Sequence, residues 1–455
     1  MSKSDGRDQD TNLRVLISQS AISRRKFLLA SMSGAAATAL EAEERPAAAA
    51  GGSLTSLTYS GQRWGAVQEG MAPAFTKATG IDAKIITFPI SQGYARILNA
   101  LGVGSAEYDV IDIDYGILAQ VASKLTPLDD YLTKDSTFKA DYEQSVSPNV
   151  RGLYQFDGSR LGKGTTYGIA NDGNTQLGFY RTDIFEKAGI KAPPATWDEA
   201  LDVAKELTVS TSSGKQYGFT TNGKRGIFSS TLFGQVLFSY GGDWLDANNA
   251  PTLTTPEAEA ALGMIEKLMK YADPSVVNAG DNETINAMAS GVAVYTPNAW
   301  GNNAFTNPKL NKLASVTKAA IVPRGAVPTG KNAPLMGGFG FVIPASSRNK
   351  DAAWKFIQYF TSKENMKAYV EFSGQPARVD ALKEFAGKAP IFAALADSLP
   401  NGVYQPGWLR DQSGFYQALG TQVALVMTGQ QSVTDALKQA QADCTAVLKQ
   451  SGDMK

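Results

Sequence analysis

The sequence lacks histidine and has a single cysteine among its 455 residues. The absence of histidine excludes Ser-His-Asp and Cys-His triads, imidazole metal sites and the usual general base near neutral pH. Cys444 has no partner for an intramolecular disulfide, and it falls among apolar residues at helical spacing. We therefore expect Cys444 to be a small buried hydrophobe rather than a nucleophile. Carboxylates, lysine, tyrosine and serine remain as possible catalytic groups.

The chain also lacks an excess of charge, because 43 Lys and Arg residues balance 43 Asp and Glu residues. It therefore has no basic surplus to track a nucleic acid or an anionic membrane. Cofactor and metal motifs are missing too: "RLGKGTT" is not a complete phosphate-binding loop, and "GGFGF" lacks the third glycine of a dinucleotide fingerprint. We expect no cofactor, no metal and no nucleic acid, and a chain long enough for two or three domains.

The N-terminus predicts export. In "SRRKFLLASMSGAAATAL", Arg24 and Arg25 precede Phe27 and a moderately apolar stretch from Leu28 to Leu40. This pattern is typical of a twin-arginine signal, and the apolar stretch is too short to span a bilayer. We assign residues 1–50 to the export signal and leader, and we expect the mature protein to be free in the periplasm.

From residue 53 onward, strand-like runs alternate with amphipathic helical segments, which predicts an α/β fold. The runs "LTSLTY", "AKIITF" and "YDVIDI" predict strands, and "VQEGMAPAFTKATG" predicts a helix that ends at Gly80. Thr196 with Glu199, and Thr255 with Pro256, mark two further helix starts.

Aromatic residues stand beside polar turns at five places where a predicted strand or double glycine ends. In an α/β sheet, ligands gather at the carboxyl ends of strands. Aromatic rings offer apolar faces to the C–H side of a sugar, and carboxylates or amides bond to its hydroxyls. The pattern predicts a carbohydrate or polyol pocket formed around Trp64, the pair Asp114 and Tyr115, Trp244, Trp300 and Phe339.

From about residue 53 to its end, the chain resembles the extracellular solute-binding proteins (family 1) of ABC importers for sugars and polyols, the group that includes maltose-binding protein. Seven ordered blocks carry the resemblance: "PAFTKATG", "YDVIDIDYGILAQ" with "LTPLDDYL", "DGNTQLGFYRTDIFEKAGIKAPPATWDEAL", "LFGQVLFSYGGDWLD", "ETINAMASGVAVY", "GGFGFVIPASSRNKDAAWKFIQYFTS" and "QSVTDALKQAQ".

The resemblance implies the two-lobe periplasmic-binding-protein fold (type II), in which α/β lobes joined by crossovers close over a ligand by hinge bending. Lobe one would contain residues 53–172 and 341–385, and lobe two residues 175–335 and 386–455. We expect a monomer that binds a sugar or sugar alcohol and delivers it to the transmembrane subunits of an ABC permease, without changing it.

Carried over block by block, the resemblance implies that eleven residues line the cleft. Gln68, Gln92 and Arg378 are the weaker candidates, and Arg378 is equally well explained as a surface or hinge residue. We expect "NDGN" to form the crossover turn between the lobes, with Gly173 permitting close backbone approach. The implied ligand-binding residues are Trp64, Gln68, Gln92, Asp114, Tyr115, Asp172, Asn174, Trp244, Trp300, Phe339 and Arg378.

Two other functions remain open on sequence grounds. An exported carbohydrate-acting enzyme would use paired carboxylates drawn from Asp112, Asp114, Asp172 and Asp243, although nothing in the sequence pairs them as acid and base. A receptor for a phosphorylated solute such as glycerol 3-phosphate would require several Arg or Lys residues in the cleft.

Overall fold

The structure is a computed structural model that describes residues 52–454 except Gln62, Ser213 and Asn302. The expected export signal, residues 1–50, lies outside the described residues. In the part of the chain that is described, no helix combines the length and apolar character needed to cross a membrane.

Eleven strands are described. Their bounds are β1 Ser53–Tyr59, β2 Asp82–Phe88, β3 Val110–Asp114, β4 Gln155–Phe156, β5 Thr165–Thr166, β6 Gly168–Arg181, β7 Val209–Thr211, β8 Gly214–Gln216, β9 Tyr295–Trp300, β10 Thr317–Ala320 and β11 Met336–Val342.

The described helices surround these strands. Their bounds are α1 Gly65–Thr79, α2 Gly93–Gly102, α3 Leu118–Val121, α4 Asp129–Lys134, α5 Ser136–Ser145, α6 Pro148–Gly152, α7 Thr182–Lys187, α8 Trp197–Glu206, α9 Ile227–Ser239, α10 Pro256–Met269, α11 Asp281–Ala289, α12 Lys350–Thr361, α13 Met366–Glu371, α14 Val379–Glu384, α15 Ile391–Ser398, α16 Gln412–Met427 and α17 Val433–Ser451.

One seven-stranded sheet organises the fold in the order β10-β6-β11-β3-β1-β2, with β9 also paired to β6. β1 runs parallel to β2 and β3, whereas β11 runs antiparallel to both β3 and β6. The chain therefore returns late in the sequence, as β11, to sit between two strands formed much earlier. The predicted α/β class is confirmed.

Local sequence signals account for several boundaries. The three predicted strands form β1, β2 and β3, and helix α1 ends at Gly80 in the left-handed conformation at φ 71°. Thr196 and Thr255 each accept a hydrogen bond from a backbone N–H of the first helical turn, as predicted. Pro73 is accommodated inside α1.

The expected turn at "NDGN" is wrong, whereas the expected crossover between the lobes at this segment stays a prediction. Residues 168–181 form one continuous strand, β6, which is buried along nearly its whole length. Gly173 nevertheless permits the expected close approach, because a Cβ atom there would lie 3.0 Å from the Ala377 Cα and 3.1 Å from the Pro376 carbonyl oxygen. The backbone stays extended through this segment because β11 pairs with the residues of β6 before it, within it and after it.

Two groups of buried apolar side chains form the interior. The first core includes Leu57, Phe75, Ile113, Phe341 and Phe356, and the second core includes Trp197, Phe233, Ile265, Phe415 and Leu448.

The C-terminal part of the chain is shared between these cores. Ile391, Leu395 and Leu399 pack in the first core, whereas the sequence analysis grouped residues 386–455 with lobe two. An isolated parallel bridge joins Val403 of this segment to Leu335, which packs in the second core. The residue ranges assigned to each lobe stay a prediction.

Candidate ligand-binding cleft

One face of the central sheet carries polar and aromatic residues from strands β6 and β11. Asp172, Asn174 and Gln176 alternate along β6, so their side chains point to the same side. β11 places Gly337 opposite Asn174 and Phe339 opposite Asp172. These five residues define what we call the cleft face, which joins positions about 160 residues apart in sequence.

An aromatic cluster packs beside the cleft face. The ring centroids of Trp64 and Phe339 lie 4.8 Å apart at 65°, and those of Tyr59 and Phe339 lie 5.1 Å apart at 73°. These edge-to-face arrangements are favoured by the quadrupoles of the rings. Tyr59 ends strand β1, Trp64 immediately precedes helix α1, and Phe339 comes from β11, so the cluster forms at the ends of sheet strands.

A cavity of about 200 Å³ opens next to this cluster and is lined by Tyr59, Ile90, Tyr94, Asp114 and Phe339. Its walls are mainly aromatic and aliphatic, and Asp114 supplies a carboxylate. Such a surface can contact the C–H face of a polyhydroxylated molecule while the carboxylate accepts hydrogen bonds from its hydroxyls.

Trp300, the last residue of strand β9, continues this aromatic surface beside Gly337 of strand β11. A Cβ atom at Gly337 would lie 3.3 Å from Cζ3 of Trp300 and 3.6 Å from the Cβ of Asn174, so the indole fills space left by the glycine. Gly337 and Phe339 are two residues apart on one face of β11, a separation of about 7 Å. The structure therefore brings Trp300 and Asn174 close to the aromatic cluster.

Two carboxylates at the end of strand β3 have raised pKa values. Asp112 is fully buried and accepts hydrogen bonds from Thr58 (2.9 Å), Gln68 (3.3 Å) and Asn171 (3.3 Å). Burial is the main cause that raises the pKa of Asp112 to about 7. Burial likewise raises the pKa of Asp114 to about 6.

A third carboxylate, Asp172, is paired with Arg63. The Arg63 guanidinium donates to both carboxylate oxygens, with Nε at 3.0 Å from Oδ2, and it also lies 5.2 Å from the Trp64 ring centroid. Asp172 is fully buried, and this burial raises its pKa despite the opposing effect of Arg63. The pair ties the segment before α1 to strand β6.

Several buried polar atoms around the cleft face have no hydrogen-bond partner within the described residues. Buried polar groups are normally satisfied, so the atoms that lie at the cleft face are available to bond a polar ligand or water. Both donors and acceptors occur among these atoms: the Tyr59 hydroxyl, Trp64 Nε1, Gln176 Oε1, Asn222 Oδ1 and Asn298 Nδ2.

Gln176, Asn222, Asn298 and Tyr94 were missed by sequence reasoning. Asn298 lies two residues before Trp300 in β9 and accepts a hydrogen bond from Thr221, the neighbour of Asn222. In the runs "TTNG" and "TPNAW", an amide side chain lies in or near a strand, and only this pattern could have indicated Asn222 and Asn298 as ligand-binding candidates. Amides are common in turns, so sequence alone could not select them.

Trp244 does not lie on the cleft face. It is 1% exposed and packs in the second core against Phe238, Phe415 and Tyr416, with ring centroids 5.2 to 6.2 Å away. A Cβ atom at Gly234 would lie 1.8 Å from the indole, so helix α9 closes directly over the ring. The sequence placed Trp244 in the ligand cleft, but tertiary packing buries it in the second core.

Arg378 is held in a separate ion-pair cluster. Its guanidinium bonds to the carboxylates of Asp141 and Asp380 and to the Ser145 hydroxyl, and the side chain is 2% exposed. These bonds raise the pKa of Arg378 against the effect of burial. Its donors are therefore engaged within the protein, and its burial contradicts the surface position that was the alternative considered for it.

The remaining candidates occupy supporting or peripheral positions. Gln68 is buried. Its amide oxygen accepts a hydrogen bond from the Ser56 hydroxyl, and its amide nitrogen donates one to Asp112. Tyr115 is buried, and its hydroxyl donates to the Met336 carbonyl. Gln92 is exposed at the end of a short 3-10 turn.

The chemistry of this site is that of binding. Among the described residues, no group of three or more Asp, Glu, His or Cys side chains is arranged to hold a metal ion. Aromatic faces, amides and carboxylates converge in a cleft at strand ends, and two hydrophobic cores flank a shared sheet. This fold and site define a two-lobed α/β protein of the periplasmic-binding-protein class, the class of maltose-binding protein.

Comparison with known proteins identifies the family. Residues 61–367 match the model of the bacterial extracellular solute-binding proteins, and the chain belongs to this family. The chain is thus a solute-binding protein, and the family expected from its seven sequence blocks is confirmed.

Similar proteins of known name include a mannitol-binding protein from Pseudomonas aeruginosa, 29% identical over 71% of this chain and 77% of the relative. A Sinorhizobium fredii protein, named as a periplasmic-binding protein of an amino-acid ABC transporter, is 26% identical over 83% and 88%. The structure of an ABC transporter solute-binding protein from Agrobacterium vitis with bound D-mannitol is 26% identical, with a TM-score of 0.69 over 88% and 99% of the two chains.

Proposed function

We propose that the protein is the receptor of an ABC importer for a polyol or sugar, which it binds without chemical change and delivers to a membrane permease. The observation that carries the proposal is the pairing of stacking surfaces with unpartnered amide, indole and hydroxyl groups around the cleft face. These groups match a ligand that has C–H faces and many hydroxyls. The mannitol-binding relative supports the polyol class.

The cleft residues of this proposal differ from the sequence-based set. Trp64, Asp114, Asp172, Asn174, Trp300 and Phe339 are kept, and Tyr94, Gln176, Asn222 and Asn298 are added. Gln68 and Tyr115 act behind the surface, while Trp244 and Arg378 stabilise the fold away from it.

A thermal-shift screen followed by calorimetry tests the proposal on the mature protein. The compounds are D-mannitol, ribitol, D-glucose, maltose and, for comparison, the common amino acids. We expect stabilisation by a polyol or sugar, since a ligand at 100 times its Kd stabilises the folded state by about 2.7 kcal/mol. Stabilisation by amino acids alone would contradict the proposal.

The proposal also excludes turnover of the ligand. We expect the bound polyol or sugar to be recovered intact after prolonged incubation with the protein. Formation of a product would instead favour the carbohydrate-acting enzyme, for which Asp112 and Asp114 would be the carboxylates to substitute first.

We further propose that the protein works as a monomer in the periplasm after twin-arginine export. Replacing Arg24 and Arg25 together with lysine should leave unprocessed protein in the cytoplasm. Normal export of this variant would contradict the proposed route and would leave the binding function unaffected.

A further inference from the structure

The wall of the cleft carries more negative than positive charge. Asp112 and Asp114 lie on strand β3, and Asp172 lies on β6, while β11 between them pairs Phe339 with both Asp114 and Asp172. The three carboxylates are close enough to interact, because Asp172 contributes to raising the pKa of both Asp112 and Asp114. Two of them, Asp112 and Asp172, are fully buried.

Arg63 is the one cation paired with these carboxylates in the described structure. Its Nε and Nη2 atoms both donate hydrogen bonds to the Asp172 carboxylate. Arg96 lies 5.7 Å from the Phe88 ring, but its side chain is exposed to solvent, where water and salt screen its charge. Arg378 is engaged by Asp141 and Asp380.

Asp114 faces the cavity, and no cationic side chain pairs with it among the described residues. Its Oδ1 accepts a hydrogen bond from the Gly116 backbone N–H at 2.7 Å, and the rings of Tyr59 and Phe339 stand around it. Aromatic faces are themselves attractive to cations and unfavourable to anions. The carboxylate and the rings therefore both favour a positively charged ligand over a negatively charged one.

We propose that the cleft selects its ligand by charge, rejecting phosphate esters and binding an amino-substituted polyol more tightly than the neutral parent. The inference rests on the proposed polyol receptor and narrows its ligand class. A phosphate beside Asp114 would be repelled by the carboxylate at short range, whereas an ammonium group would gain an ion pair and ring contacts. The phosphorylated-solute alternative is thereby disfavoured.

Calorimetry with D-mannitol, 1-amino-1-deoxy-D-mannitol and D-mannitol 1-phosphate at pH 8 and low salt tests this inference. Because the two ends of D-mannitol are equivalent, each derivative changes one end of the same symmetrical molecule. We expect the phosphate to bind at least about 100-fold more weakly than D-mannitol and the amine about tenfold more tightly, because charges in contact interact strongly at low salt.

Asp114→Asn keeps the side-chain shape and an acceptor for Gly116 N–H but removes the charge. We expect this variant to reduce both affinity ratios by about tenfold. Asp157→Asn is the matched control, because Asp157 lies on a loop outside the cavity and pairs with Lys163. We expect the control to keep the wild-type ratios within about twofold.

The outcomes separate this inference from the function on which it rests. Binding of D-mannitol with equal or tighter binding of its phosphate would overturn charge selection and leave the polyol receptor standing. Unchanged ratios in a folded Asp114→Asn variant would also overturn it. If neither these three compounds nor the other polyols and sugars of the thermal-shift screen bound, the polyol or sugar receptor itself would be contradicted, and the charge selection with it.

Discussion

At the scale of single residues, burial separates two tryptophans that look equivalent in sequence. Trp300 is half-buried and its ring lies against the cleft face, whereas Trp244 is enclosed by the second core. Both follow polar or glycine-rich residues, and either indole ring could stack against a sugar. Their neighbours in space, which the sequence does not show, give them different tasks.

Substituting each tryptophan with alanine should therefore affect different properties, ligand affinity for Trp300 and stability for Trp244. We expect Trp300→Ala to weaken binding of the cognate polyol or sugar about tenfold, through lost ring contact, with little change in stability. Trp244→Ala should lower the free energy of unfolding by about 3–5 kcal/mol, because it leaves a large cavity. Calorimetric titration and chemical denaturation of both variants check this, and a large affinity loss confined to Trp244→Ala would reverse the assignment.

Asp112 makes the stability of the protein depend on pH. Its pKa is raised by burial to about 7 in the folded state, so folding disfavours its ionised form. The stability it contributes is complete below its unfolded pKa, near 4, and is lost as the pH rises through about 7.

We accordingly expect the free energy of unfolding to fall by about 2–3 kcal/mol between pH 5 and pH 8 because of Asp112. Denaturant titrations at several pH values measure this profile, and Asp112→Asn should flatten it. A profile that rises over the same range, or one that Asp112→Asn leaves unchanged, would show that another group dominates.

At the scale of elements, strand β11 is the piece that assembles the site. It lies between β3 and β6, and it brings Phe339 opposite Asp114 on one side and Asp172 on the other. Glycines at 337 and 338 make room for this: Gly337 faces the Trp300 ring, and Gly338 adopts φ 147°. The close approach of three strands requires residues without side chains at these positions.

Gly338→Ala should destabilise the protein by about 2 kcal/mol or more, because a side chain is strained at this φ. The added Cβ would also lie 2.8 Å from the carbonyl oxygen of Asp172. Gly263→Ala is the control: this glycine lies within helix α10 with open space around it, and alanine should be neutral or stabilising by up to about 1 kcal/mol. Melting temperatures of both variants decide the matter, and equal effects would contradict the strain argument.

At the scale of the whole molecule, Arg160 links the regions of the two cores. Its loop is anchored in the first core by Leu161, while its guanidinium donates to the Asp246 carbonyl, next to Leu245 of the second core. The same guanidinium lies 4.3 Å from the ring centroid of Trp408, which packs against both cores. With the lobe ranges predicted from the sequence, these contacts would hold the two lobes together.

Arg160→Ala should increase the rate of ligand dissociation by about tenfold, since a hydrogen bond and a cation–π contact that hold the lobes together are lost. Lys163→Ala on the same loop is the control, because Lys163 pairs only with Asp157 on its own loop in the described structure. Stopped-flow fluorescence measures both rates. Equal rates in the two variants would mean that Arg160 does not restrain opening.

The sequence by itself determined the elements and the family. Helix caps, Gly80 and the first three strands follow from local rules, because capping and strand patterns act between near neighbours. The seven ordered blocks gave the fold class and the binding role. Trp64, Asp114, Asp172, Asn174, Trp300 and Phe339 were candidates from sequence and lie together in the structure.

Only the tertiary structure decided which polar and aromatic residues are available to a ligand. It placed Trp244 and Arg378 in the interior, continued β6 through the expected turn, and set Gln176 on the cleft face with an unpartnered side-chain oxygen. The physical reason is that exposure and charge balance depend on strands far apart in sequence. β11 returns after some 160 residues to pair with β6, and local patterns do not encode that distance.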